Sequence, residues 1–497
     1  MRSILLAGLA CGAGMMLVPG AALADRPATL TQALVEAYEN NATLQEQRAS
    51  LRATDENVPS ALAGWRPTVQ VTGTLGRVTG TQTQQQAASF FSPETNVKIS
   101  QTRNEAIGQV TVSQPIYAGG KTIALTRQAK NAVYAARAKL LATEQTVFLN
   151  VVNAYVTVIT DTQVLALDQG NQQVLEQQLQ ATNDQFNVGE ITLTSVAQAQ
   201  ASLAQAKEQV EVAAGNLQIA KENFRQLVGD YPADTITPPQ PLALPVSSKD
   251  AAAAAATANN PSVISAEFTD ASEKDAVDAA YSALMPQITV QASAYDEDQA
   301  TARTKLNGGQ VLGELTIPLY QGGSEYAAIR QARANEQQSF ATILDQQRTA
   351  YSQATQAWVG LVSSRAAIVS TNAEIKANAI ALDGTEREEL VGTRTTLDVL
   401  NAQELLLNSQ VQQVQNIATL VNNSYGVAAA IGRLTATDLG LPVSQYDDLK
   451  YYNSVEYAGF GTGEAADKKA GVAPDGSLMN VSMPAPIADA PNSPPAP

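Results

Sequence analysis

Between Pro67 and Pro115 the apolar residues recur with period two. Val69, Val71, Gly73 and Leu75 alternate with Thr68, Gln70, Thr72 and Thr74, and Val110 and Val112 alternate with Gln109, Thr111 and Ser113. The pattern returns after Pro286, where Ile288, Val290, Ala292 and Ala294 alternate with Gln287, Thr289, Gln291 and Ser293. Val311, Leu315, Ile317 and Leu319 then share a face opposite Leu312, Glu314 and Thr316. These segments predict four strands in two hairpins, 67–117 and 286–320, with polar loops over Gly80–Arg103 and Asp296–Asn307. The first loop is the longer and holds Phe90-Phe91.

Elsewhere the period is helical. Thr29 and Gln32 have capping-box spacing, and Leu30, Leu34, Ala37 and Leu44 fall near one face, so a helix is expected from Thr29 to about Ala63. An Ala-rich helix over about Asp250–Leu284 is its counterpart, with Asn259-Asn260 opposite Asn40-Asn41. Each hairpin leads through Tyr-x-Gly-Gly into a run without proline, Lys121–Asn187 and Ser324–Leu390. At ~1.5 Å per residue, each run spans about 100 Å. Leu141, Phe148 and Tyr155 recur at heptad spacing, as do Leu344, Tyr351 and Trp358, which predicts helices packed along their length. Return helices follow the Val-Gly turns, over Thr192–Val228 and Thr395–Ile431.

The two halves are copies. A constant offset of 203 residues aligns Val188-Gly189 with Val391-Gly392, Thr192 with Thr395, and Tyr117 with Tyr320. A register held without a gap over that length is an internal duplication. The expected organisation is a leader over 1–24, a first repeat over 25–231, a linker over 232–249 and a second repeat over 250–441. The helical hairpins cover 121–228 and 324–434, with tips near 188–195 and 391–398, and an irregular, partly disordered tail covers 442–497. In the leader, Arg2 precedes an apolar stretch, and Ala22-Leu23-Ala24 fits a small-x-small cleavage site. Cys11, the sole cysteine, lies inside it. A lipid-attachment role for Cys11 is the alternative, with Gly8 where such sites usually carry leucine.

Composition narrows the function. The chain has no histidine, which excludes His-based catalysis and His metal sites, and its net charge of −16 argues against nucleic acid as a partner. No cofactor is implied, and no nucleophile–base set is visible, so an enzyme ranks last. After the leader, no stretch is long and apolar enough for a membrane-spanning helix. The strands are a different matter. Four are too few to close a barrel, and an open sheet in lipid leaves two edges of unpaired backbone groups, each costing several kcal/mol. Three copies supply twelve strands, an even number of the kind outer-membrane barrels use. The expectation is an α+β membrane protein: a trimeric 12-stranded β-barrel, four strands per chain, continued by a long periplasmic α-helical coiled-coil barrel. All four junctions, at Pro67, Pro115, Pro286 and Pro318, lie at one end, so the helices leave the barrel on one side. A soluble sheet packed on its own helices is the competing arrangement.

Leu390–Gln403, the Tyr-x-Gly-Gly repeats, the Asn-Asn helix and the strand order together resemble the TolC family of outer-membrane efflux and export ducts, over about Thr29 to Leu441. The resemblance implies a homotrimer in the outer membrane, reaching through the periplasm to an adaptor (membrane-fusion) protein and an inner-membrane transporter. It implies a periplasmic tunnel end closed by the inner helix pair. By position, Arg394 is similar to the arginine that ties that pair to the neighbouring subunit, and Asp398 to an acidic residue ringing the constriction. The pattern departs at Ser195, where an acidic partner is expected, at Asn401, where a second acidic ring position is expected, and at Glu389, which replaces a tyrosine. Arg394, Asp398, Asn401, Glu389, Thr194 and Ser195 are therefore the candidate gate. Val188, Gly189, Val391, Gly392 and Thr393 are the candidate adaptor-contacting tips.

Each residue also has a plainer role. Thr395 and Asp398 have capping-box spacing, Gly189 and Gly392 suit tight turns, and Arg394 is a solvated charge. Trp65, Tyr117 and Tyr320 lie near strand ends and suit an interfacial girdle or helix packing. A periplasmic coiled-coil adaptor or scaffold is the alternative function, and it leaves the amphipathic strands without a purpose. The cargo, small molecule or protein, is not encoded legibly.

Overall fold

The computed structural model describes residues 26–86, 90–91, 95–300 and 304–462. The expected leader and the tail beyond Thr462 lie outside the described residues. Helices α1 (Leu30–Asn40), α2 (Ala42–Asp55) and α3 (Asn57–Leu62) lead into strands β1 (Thr68–Gln86) and β2 (Thr95–Ala118). The long hairpin α4 (Lys121–Asn187) and α5 (Leu193–Val228) follows. The second half repeats the order with α6 (Lys249–Asn259), α7 (Pro261–Tyr281), β3 (Gln287–Asp298), β4 (Lys305–Thr316), α8 (Ser324–Leu390) and α9 (Thr396–Ala430). A last helix, α10 (Asp448–Val455), lies in the segment expected to be irregular.

The single helices expected over Thr29–Ala63 and Asp250–Leu284 are broken, and the breaks are built from the paired asparagines. Thr29 and Gln32 form the expected capping box. After the eleven residues of α1, Asn41 leaves the helical region and its Oδ1 accepts from the Thr43 and Leu44 amides, starting α2. Its Nδ2 donates to Leu227 O at 2.8 Å, the end of α5. Asn260 repeats the device: Oδ1 accepts from Ser262 N at 2.9 Å and Nδ2 donates to Ala430 O at 3.0 Å. Each asparagine thus caps one helix at its start and satisfies an orphan carbonyl at the end of another.

The 67-residue helices α4 and α8 keep the predicted ends. Each pairs with its return helix, and α7 lies against both α4 and α8. The main core gathers Leu34, Tyr38, Phe148, Val152, Tyr155, Phe224 and Leu434 around the upper part of α4. The linker joins this core through Leu242 and Leu244, and the Tyr155 hydroxyl reaches Thr237 O at 2.9 Å and Ala28 O at 3.0 Å. The heptad residues divide: Phe148 and Tyr155 are fully buried, whereas Leu141 on α4 and Leu344 and Tyr351 on α8 stay exposed.

The sheet is antiparallel in the order β1-β2-β3-β4, so β1 and β4 are open edges. Its register aligns apolar residues in rows, Val71–Val110–Ala294–Gly309 and Val69–Val112–Ala292–Val311. The adjacent rows are polar, as in Gln70–Thr111–Ser293–Gln310. The apolar rows face out, with Val71 75% and Val311 73% exposed, while Ser293 on the other face is buried. The loop expected over Gly80–Arg103 is a correction. Strands β1 and β2 stay paired to Gln86↔Thr95, well past the end of β3 at Asp298. Likewise β3 runs to Asp298 and β4 starts at Lys305, inside the loop expected over Asp296–Asn307. Ladder hydrogen bonds continue where apolar residues become sparse and lie opposite polar partners (Gln82↔Ile99, Gln84↔Val97), so the period-two signal fades before the strand does.

Candidate functional site

The candidate site is the pair of hairpin tips at the far end of the long helices. At the first tip, α4 ends as Gly189 turns to φ +83°, and the Glu190 amide donates back to Gln185 O at 3.0 Å. At the second, Gly392 turns to φ +78° and the Thr393 amide donates back to Glu388 O at 2.9 Å. Both are glycine-closed helix ends of the kind in which an amide beyond the glycine satisfies a carbonyl one turn earlier. A side chain at either glycine would be strained by the backbone itself. Val188, Leu193, Leu390 and Val391 stand exposed around these turns.

The tips then diverge. Thr395 caps α9 by accepting from Asp398 N, and Asp398 Oδ2 accepts from the Thr395 amide and hydroxyl, both at 2.9 Å. These bonds hold Asp398 below the usual carboxylate range, with the nearby Arg394 adding to the effect. Arg394 Nε donates to Glu388 Oε2 at 3.0 Å, and its Nη1 lies 4.0 Å from Asp398 Oδ1. The hydrogen bond that Arg394 donates to Glu388, together with the Glu388 charge, holds the guanidinium above its ordinary pKa. At the first tip none of this exists. Thr192 makes no side-chain cap, and its hydroxyl meets the Ser195 hydroxyl only at 3.5 Å.

The capping role of Asp398 is therefore realised, and Arg394 is no free charge. Its partner, Glu388, is the residue the sequence reading missed. Glu388 sits six positions before Arg394, a spacing that helix periodicity does not bring together, and only the reversal at Gly392 folds it back. Among the described residues no hydrogen bond or ion pair joins Thr194 or Ser195 to Arg394 or Asp398. Thr194 and Asn401 are exposed, Ser195 is half-buried, and Glu389 is half-buried with Oε1 unpartnered. The two helical hairpins meet one level above the tips. There Leu400 is buried with Leu175, Leu203 and Ala206, and Gln403 Nε2 donates to Asn171 Oδ1 at 3.3 Å. A second missed pair thus joins the hairpins.

No helix among the described residues is long and apolar enough to cross a membrane, and no group of His, Cys, Asp or Glu there could hold a metal ion. What the two tips present is a surface. It is an exposed apolar rim on two turns, with Glu190 at the first and the Glu388–Arg394–Asp398 group at the second.

Comparison with known proteins agrees with this geometry. The chain matches the outer membrane efflux protein family over residues 33–230 and 253–433, one match in each half. It is 34% identical over 454 residues to outer membrane efflux protein BepC of Brucella suis, covering 90% of this chain and 94% of that protein. It is 26% identical over 362 residues to outer membrane protein TolC of Escherichia coli K12, covering 68% of this chain and 71% of that one. Among solved structures, the CmeC outer membrane channel of Campylobacter jejuni superposes with a TM-score of 0.70 at 17% identity, covering 86% and 89% of the two chains. The chain belongs to the outer membrane efflux protein family and is an outer-membrane channel of efflux systems.

Proposed function

We propose that three copies of this chain close a twelve-stranded barrel, continued by a helical tunnel through the periplasm. The tunnel serves a tripartite efflux or type I secretion assembly. One observation carries this reading: a four-stranded sheet with apolar rows on its exposed face and both edges, β1 and β4, unpaired. In lipid such edges leave every outward backbone group unsatisfied, and pairing β4 of one copy with β1 of the next removes the cost. The exposed Leu344 and Tyr351 on α8 supply a heptad seam for a neighbouring copy. On this reading residues 1–24 are removed as a leader. The exposed tips, Val188, Gly189, Val391, Gly392 and Thr393, receive a periplasmic adaptor coupled to an inner-membrane transporter.

The duct performs no chemistry of its own; energy comes from its partner. Arg394 closes the second tip within its own hairpin through Glu388. Asp398, repeated in three subunits, places carboxylates around the narrow end, where like charges focus the field toward cations. Asn401, Glu389, Thr194 and Ser195 complete the constriction without a charged bond between hairpins. Purified protein is expected to run as an SDS-resistant trimer and to give stable conductance in planar bilayers. A chain that stays monomeric and soluble without detergent would overturn the reading.

A further inference from the structure

The segment after Leu441 is a strap with a direction. The Tyr446 amide donates to the Tyr38 hydroxyl at 3.0 Å, and Arg48 lies over both tyrosine rings. Asp447 caps α10 by accepting from the Leu449 and Lys450 amides. Further on, the Tyr451 hydroxyl donates to Glu56 Oε1 at 2.8 Å, and Lys130 pairs with Glu456 at 3.0 Å. Finally Arg66 donates from Nη1 to Ala458 O at 2.8 Å and from Nη2 to Tyr457 O at 3.1 Å. The strap's partners on the first repeat are therefore Tyr38, Glu56 and Arg66 in turn, while those on α4 step back from Arg137 to Lys130. Both series run from the core toward the sheet.

Arg66 stands two residues before β1, so it fixes Tyr457 and Ala458 at the level where the strands begin. At that clamp the Tyr457 side chain is 74% exposed, and beyond it Phe460 is wholly exposed. Trp65, Ile116 and Tyr117, at the same end of the strands, are exposed too. A single exposed aromatic residue is ordinary. Tyr457, its backbone held by a two-pronged arginine, and Phe460 three residues on, beside other exposed aromatics at a barrel rim, have the composition of an interfacial belt.

We propose that the C-terminal strap ends in lipid. Tyr457 and Phe460 extend the aromatic belt into the periplasmic leaflet of the outer membrane. The inference rests on the barrel reading above. The strap thereby ties the core around Tyr38 to the bilayer by a route independent of the strands.

The test uses the full-length protein in phosphatidylethanolamine/phosphatidylglycerol vesicles carrying a nitroxide lipid labelled at a shallow acyl position. Cys11, the sole cysteine, lies in the expected leader, so Phe460→Cys gives one bimane-labelling site in the mature chain. Val69→Cys, in an apolar row of β1, and Leu449→Cys, in the first turn of α10, are the references. Fluorescence loss at 460 should match that at 69 and exceed that at 449. Adding Arg66→Ala should lower the loss at 460 and leave 69 unchanged. Quenching at 69 but not at 460 would overturn the proposal, and a blue-shifted, unquenched label at 460 would place Phe460 against a neighbouring subunit instead. Absence of quenching at 69 would remove the barrel reading and this inference with it.

Discussion

The two faces of the sheet make opposite demands on a charge, and neighbouring residues on β2 can measure the difference. Val110 lies in the outward row between Val71 and Ala294, and Gln109 lies in the inward row between Thr72 and Tyr295. Strand β2 is interior, so neither residue sits on a seam between subunits. Val110→Arg would place a guanidinium in the hydrocarbon, at about 2–4 kcal/mol per site near the bilayer midplane. Three subunits share the penalty, which comes to roughly 6–12 kcal/mol per trimer before snorkelling relieves any of it. Gln109→Arg would place the same group in an aqueous lumen at little cost. The assay is the urea midpoint of trimer dissociation after reconstitution in vesicles, with wild type and both variants in parallel. The Val110 variant should fall far below wild type or fail to assemble, and the Gln109 variant should track wild type. Equal losses at both positions, or a larger loss at Gln109, would refute the assignment of faces.

At the tip, Asp398→Asn keeps a capping acceptor for α9 and removes the charge. It should lower cation selectivity and block by multivalent cations in planar bilayers without loosening the helix start; unchanged selectivity would leave Asp398 with its cap alone. Arg394→Ala and Glu388→Gln should each change resting conductance little and be non-additive, because the pair is exposed and lies within one hairpin. A large rise with Arg394→Ala alone would place its working partner in the neighbouring subunit. Asp55 is buried with neither oxygen hydrogen-bonded, and burial pushes it up to about 7, against the pull of Arg137 and with the aid of Asp448 and Glu56. A carboxyl raised above its unfolded value of 3.8 contributes stability that is intact below that value and lost as pH rises through about 7. Asp55→Asn should therefore raise the melting temperature more at pH 8 than at pH 4.5; an equal gain at both would contradict the linkage.

Much of this architecture is legible in the residues, and the reasons differ by element. The ends of α4 and α8 could be read because each long helix starts after a Gly-Gly and stops at a Val-Gly. Gly120 and Gly323 hold left-handed conformations at the starts, as Gly189 and Gly392 do just past the ends. The strands could be read only where lipid imposes a face. Beyond Leu75 the apolar residues of the β1–β2 ribbon thin to Val78, Val97 and Ile99, each opposite a polar partner, and alternation no longer reports pairing. Asn41 and Asn260 looked like ordinary helix residues because the apolar stripe continues across them. What breaks the helix is a carbonyl at the end of a return helix almost two hundred residues away. Helix α10 escaped notice because only Tyr451 and Val455 are buried, too few for a period. At the tip, the Thr395–Asp398 box is local and therefore visible, whereas Glu388 reaches Arg394 only through the turn.

Closure into a barrel turns on the two open edges of the sheet, and amide hydrogen exchange reads them directly. In detergent-solubilised protein, the outward-pointing amides of β1 over Thr68–Leu75 and of β4 over Lys305–Thr316 should be as protected as those of β2 and β3, because each edge is paired with the next subunit. Fast exchange at alternate residues along β1 and β4, with β2 and β3 protected, would show a sheet whose edges remain open and would contradict closure by three copies.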